Sequence, residues 1–304
     1  MESEIHDAGV SNNTTLIILA WLSILLVSDL PDMAASLFGP VPSWLLPGKL
    51  VFLAVFLLVC SLWKMVRPLR PYALVMAVFF AMLSLSDVIR TSAWWAGLID
   101  ESTRSFTLAY LRPYLRDIGV TFVVILALWI VKRRRTDFFF VKGNLSAPIE
   151  PVRWLGIRSG ESWKTFGWIF GLVAAAAVAF PTVFSLKPTV TEMGRIVPLL
   201  PAVILFAAIN AFAEETYFRA TLFSMLPGVI GRGHTHLINI LFFGLAHWLY
   251  GSPPGLVGFL MTGFLAWIMG KAMVETRGFF WPWFIHFLPD VVVFLSYALL
   301  WVRG

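Results

Sequence analysis

Glu214, His247, His286 and Asp290 lie on three apolar stretches of the chain and could do chemistry away from water. In "NAFAEETYFRATL", residues 210–222, Glu214, Glu215 and Arg219 are the only side chains between Val197 and Leu226 expected to carry charge at pH 7. "FFGLAHWLYG" carries Phe243 and His247, and "WFIHFLPDVVVF" carries His286 and Asp290, each pair four apart and so on one helix face. A charge in a bilayer core costs about 2.5–3.5 kcal/mol on insertion scales, so two carboxylates and a guanidinium there call for a function. Glu215 and Arg219 are four apart and can pair. Glu214, about 100° further round an ideal helix, is then left without a local partner, and it suits a general base for a water molecule. His247 could share that water or hold the substrate oxygen. His286 could donate a hydrogen bond to a developing oxyanion, with Asp290 orienting it. The same Glu214, His247, His286 and Asp290 could instead ligate a divalent metal such as zinc, keeping a position open for water. Either version is hydrolysis inside a membrane. Asn210, one turn before Glu214, either joins this pocket or bonds between helices.

The elements that must hold these residues are membrane helices. Hydrophobic residues make up 59% of the 304 and charged residues 13%, with 27 Phe and 14 Trp. A soluble domain is nearer half apolar and a quarter charged, so the composition points to an all-α, polytopic transmembrane bundle. A span needs roughly 20 mostly apolar residues. Stretches near 14–29, 48–65, 71–87, 117–132, 166–185, 197–226, 237–250, 254–273 and 279–302 qualify, which gives about eight spans (7–9). The first and seventh are short enough to be tilted or re-entrant. Pro289 should kink or open the last helix. The catalytic pocket is expected within the C-terminal helices.

Three regions follow from the pattern. Residues 1–131 hold about four spans and have no assigned role. Residues 132–164 form a basic linker at the membrane interface, where Trp154, Trp163 and Phe138 to Phe140 would be comfortable. Residues 165–304 hold the remaining spans and nearly all the polar residues of interest. The net charge of +6 is no sign of a nucleic-acid partner. Eight of the 23 Lys and Arg fall between Lys132 and Lys164, beginning with "KRRR", and basic loops stay on the cytoplasmic side. That rule puts the 132–164 loop and the N-terminus in the cytoplasm of a bacterial-type inner (cell) membrane, and the 29–47 loop outside. The acidic N-terminus lacks the basic region of a cleavable signal peptide. Cys60, alone in an apolar run, reads as a core residue. Asp87 and Arg90 read as interfacial, Tyr217 and Trp248 as packing residues, and Glu275 with Arg277 as a turn before the last span. His234 and His236 read as a loop between spans. The small residues from Gly171 to Phe180 suit close helix packing.

"EETYFR" (Glu214 to Arg219), "FGLAH" (Phe243 to His247) and "HFLPD" (His286 to Asp290) resemble the E-E-x-x-x-R, F-x-x-x-H and H-x-x-x-N/D motifs of the CPBP family. This group comprises the CAAX prenyl proteases and bacteriocin-processing enzymes, also called Abi proteins. The resemblance covers roughly residues 160–304. It implies an all-helical intramembrane endopeptidase, either glutamic or metal-dependent, in which Glu214 activates water with His247. His286 and Asp290 would then stabilise the oxyanion, with Glu215, Arg219, Phe243 and Asn210 supporting. The third motif ends in Asp290 where an amide is the other option. An ionised carboxylate would repel an oxyanion and would suit a metal, which tilts the sequence reading towards a metal-compatible site.

Other intramembrane protease designs find no support. "HTHLIN" lacks the glutamate of H-E-x-x-H, and neither a G-x-G-D nor a G-x-S-x-G signature occurs. The implied partners are the lipid bilayer and a membrane-associated protein or peptide, cut near a C-terminal tail of prenylated CAAX type or of peptide or sorting-tail type. A non-catalytic binding or immunity protein on the same scaffold is the alternative, and would tolerate loss of Glu214. A proton-coupled transporter would need paired, repeat-related broken helices, and the sequence has no internal repeat.

Overall fold

The computed structural model describes residues 14–97, 105–251 and 253–304. The acidic tail with His6 lies outside the described residues. The chain is helical almost throughout: α1 Thr14–Val27, α2 Leu30–Ser36, α3 Leu45–Leu62, α4 Arg70–Thr91, α5 Ala93–Gly97, α6 Phe106–Lys132, α7 Trp163–Leu186, α8 Val190–Ile196, α9 Leu200–Glu214, α10 Thr221–Met225, α11 Pro227–Ile230, α12 Arg232–Tyr250, α13 Gly255–Thr276 and α14 Phe280–Arg303. Among the described residues there is no strand, only two isolated β-bridges within the linker. Seven helical stretches are long and apolar enough to cross a membrane, and the pair α1–α2, bent by 45°, would make an eighth. The protein is a polytopic membrane bundle.

Local sequence explains where the helices begin and end. Ser105 caps α6, its hydroxyl accepting from the Leu108 N–H at 3.2 Å. This start lies well before residue 117, because Pro113 is absorbed within the helix. Thr189 and Glu192 form a reciprocal capping box at the head of α8, satisfying N–H groups that the first turn leaves free. The apolar stretch expected at 197–226 is one composite rod running from Val190 to Met225.

Several expectations are corrected. His234 and His236 lie in the first turns of α12, which starts at Gly231 (φ 85°), a backbone shape that glycine adopts without strain. His234 Nδ1 accepts from Trp21 Nε1 at 3.2 Å. With Arg232, His234, Thr235 and His236 at its head, α12 is not among the helices apolar enough to span. The helix does not open at Pro289, and α14 continues to Arg303. Trp163 and Phe138 are buried in protein and not at the interface: the Trp163 indole donates to Glu275 Oε2 at 2.8 Å. Trp154 is exposed as expected. Close packing on α7 centres on Gly167 and Gly171, a turn earlier than the alanine run. A Cβ on Gly167 would come within 2.3 Å of the Trp281 ring, and one on Gly171 within 2.8 Å of Leu288. Most of the rest of α7 faces outward, with Ile169, Leu172 and Val173 exposed as a lipid-facing surface requires.

One apolar core joins the two halves of the chain. It includes Phe79 and Val124 from the first half and Phe223 and Phe242 from the second. Tyr217 pins the seam: its ring stacks on Phe79 (centroids 4.6 Å apart), and its hydroxyl meets Thr121 Oγ1 at 2.5 Å and donates to the Asp117 carbonyl at 3.0 Å.

Candidate active site

Between α9 and α10 the helix widens into a π turn, Glu215–Ala220. The Thr221 N–H donates to the Thr216 carbonyl five residues back, and Thr221 Oγ1 donates to the same oxygen at 2.9 Å. A wider turn sets neighbouring residues at a smaller angle than an α-helix does, and such turns recur at functional sites. Here two consecutive glutamates face one imidazole on α14. His286 Nδ1 donates to Glu215 Oε1 at 2.8 Å. His286 Nε2 lies 3.6 Å from Glu214 Oε2 and 3.7 Å from Asp290 Oδ1.

Glu215 is the buried anchor. The Oε1 that receives His286 also accepts from Arg219 Nη1 at 2.7 Å, and both Glu215 and Arg219 are fully buried. The Arg219 guanidinium lies 3.8 Å over the centre of the Phe243 ring, close enough for a cation–π contact. That ring also stands edge-on to His286 at 5.6 Å. The Phe243 carbonyl takes the Nδ1 hydrogen of His247 at 2.8 Å. Since a carbonyl only accepts, Nδ1 carries the hydrogen, and neutral His247 keeps the Nε2 lone pair for another donor.

Glu214 does have a local partner, Asn210 one turn back, against the expectation that it would have none. Asn210 Nδ2 donates to Glu214 Oε1 and to Asp290 Oδ2, each at 3.1 Å. Tyr114 on α6 donates to Asn210 Oδ1 at 3.3 Å, which fixes the amide. Glu214 Oε2 is enclosed and has no hydrogen-bond partner. Asp290 is thus tied to Asn210, and its separation from His286 exceeds hydrogen-bond length. The residue that orients His286 is Glu215.

Asn210, Glu214, Phe243, His247, His286 and Asp290 all line one cavity of about 210 Å³. The three polar stretches of the sequence meet there. Tyr114 also lines it, and no sequence signal marks that residue. Among the described residues, no group of three or more His, Cys, Asp and Glu is arranged so that it could hold a metal ion. Glu214, His247, His286 and Asp290 suit zinc by donor type, but as arranged they do not form such a group.

The fold and this enclosed set define a multi-pass membrane protein with a polar cavity walled by hydrocarbon. Residues 196–292 match the family model described as Type II CAAX prenyl endopeptidase Rce1-like. The matched stretch holds all three motifs, and the resemblance to the CPBP family is borne out over it. The match supports a CAAX-type intramembrane endopeptidase in general. No curated protein and no solved structure matches the chain.

Proposed function

We propose that this protein cleaves a peptide bond of a membrane-associated substrate, with Glu214 activating the attacking water. The observation that carries the reading is the Glu214 carboxylate: one oxygen held by Asn210, the other enclosed, unpartnered and facing His286 Nε2 across 3.6 Å. Water in the cavity gives a proton to Glu214 as its oxygen attacks the scissile carbonyl carbon. His247 Nε2 accepts the water's other hydrogen and aims its lone pair. His286, steadied through Nδ1 by Glu215, donates from Nε2 to the oxyanion when that nitrogen carries a proton. The C–N bond then breaks, Glu214 passes its proton to the leaving amine, and a carboxylic acid, which keeps the water's other hydrogen, and an amine leave. Asn210 holds Asp290 and Glu214 apart. The substrate is a C-terminal tail, of prenylated CAAX type or of peptide or sorting-tail type. We also propose that the linker 132–164 and the N-terminus face the cytoplasm, on the strength of the basic run at 132–135.

The test is a mass-spectrometric comparison of membrane-protein termini in cells carrying wild type or Glu214→Gln. Termini that vanish in the variant establish cleavage and name the substrate. Identical termini, with the variant present at normal level, would favour the non-catalytic binding protein. With a substrate in hand, cleavage that survives a membrane-permeant zinc chelator fits a glutamate-driven reaction. Loss reversed by added zinc would move the four side chains into a metal site.

A further inference from the structure

A second cavity, of about 440 Å³, lies on the other side of Glu214, between the two halves of the chain. Asn210 and Glu214 line both cavities, so the catalytic carboxylate stands in the wall between them. The first half of the chain supplies most of the new walls. Phe79 and Phe80 on α4 make them apolar. Lys49 at the head of α3, Asp29 and Asp32 at the α1–α2 bend, and Asp117 on α6 make them charged. The cavity thus reaches from the connection between α1 and α3 to Glu214.

Its charge is strongly one-sided. Lys49, almost fully buried, is the one cationic side chain lining it among the described residues, and it is already committed to Asp32, with Asp29 at 3.6 Å. Among the described residues Asp117 has only Arg116, its neighbour in sequence, close enough to attract its carboxylate. Its backbone carbonyl accepts from Thr121 and Tyr217, but its carboxylate accepts no hydrogen bond from a described residue. Arg116, next to it in sequence, donates to the Ser86 carbonyl and does not line the cavity. Among the described residues the lining therefore holds an excess of carboxylates, Asp29, Asp32, Asp117 and Glu214 against Lys49. An anionic or purely apolar occupant would leave that excess uncompensated. A positively charged side chain with an alkyl stem pairs with Asp117 and packs on the phenylalanines at once.

We infer that this cavity is a substrate subsite that takes a lysine or arginine side chain close to the cleaved bond. The inference rests on the endopeptidase reading and adds a specificity to it. It also gives residues 1–131 a task, since that half of the chain builds the subsite.

The test uses the full-length protein in its own membrane. Glu214-dependent termini are collected first, and Lys or Arg is expected at one fixed position within a few residues of the cut. One such substrate is then made with Gln at that position, and both forms are exposed to wild type and to Asp117→Asn, which keeps the side chain's size. Wild type should cut the Gln form about tenfold less (~1.4 kcal/mol). Asp117→Asn should lose most of that discrimination, because the two changes remove the same interaction. A purely structural effect of Asp117→Asn would lower both forms alike, and that result overturns the inference. So would a set of cuts with no shared basic position. Absence of any Glu214-dependent terminus would instead sink the endopeptidase reading, and this inference with it.

Discussion

Arg219 carries more than a salt bridge to Glu215. Its guanidinium faces a phenylalanine ring while one nitrogen holds the carboxylate that steadies His286. Removing it by Arg219→Ala strands a buried charge, and we expect a loss of about 3–5 kcal/mol, read as a lower melting temperature of the purified protein. Arg219→Lys should rescue little, because an ammonium lacks the flat face that meets Phe243. Glu214→Gln is the contrasting case. The amide keeps its size and its contact with Asn210, so the protein should fold normally while cleavage falls by at least about a hundredfold. A Glu214→Gln variant that melts early but still cuts, or an Arg219→Ala variant that melts as wild type, would overturn the corresponding assignment.

At the scale of elements, the sequence shows the helices and the pairing of Glu215 with Arg219. It does not show that Glu215 also holds His286, because those residues are 71 positions apart. Nor does it show that Glu214 and Glu215 serve one imidazole. An ideal α-helix would turn them apart, and the π turn changes that angle. Asn210 bridging two carboxylates was equally hidden, since one of its partners is on α14. That π turn constrains the length of the segment. Deleting one residue from 216–218 would restore α-helical spacing, leave the flanking helices in register and remove the turn that brings Glu214 and Glu215 to one imidazole. Substitutions there can be absorbed more easily than insertions or deletions. The contact of α7 with α14 is constrained through Gly167. Gly167→Ala should push Trp281 aside and cost about 1–3 kcal/mol. Thermal unfolding measures it, and an unchanged midpoint would mean that the Trp281 ring moves freely.

At the scale of the molecule, the first half of the chain gave no motif. Its role emerges from where it packs: Tyr114 fixes Asn210, and Phe79 and Thr121 hold Tyr217. Tyr217→Phe removes the hydroxyl's links across the seam and should cost about 1 kcal/mol. Linker cleavage by added protease is a sensitive measure, and no change in its rate would locate the seam's strength in apolar contacts alone. The linker is itself clasped to the turn between α13 and α14. Asn144 N–H donates to the Thr276 carbonyl and Phe279 N–H to the Val141 carbonyl, while Gly143 and Gly278 approach so closely that neither has room for a side chain. During synthesis this clasp must wait. Trp163 leaves the ribosome 112 residues before Glu275, the group its indole will bond. At ~5–20 residues per second the delay is roughly 6 to 22 seconds. Throughout that interval the linker's aromatic side chains have only the earlier helices, the nascent membrane surface or a chaperone to cover them, and the turn that locks the middle of the chain is made long after it.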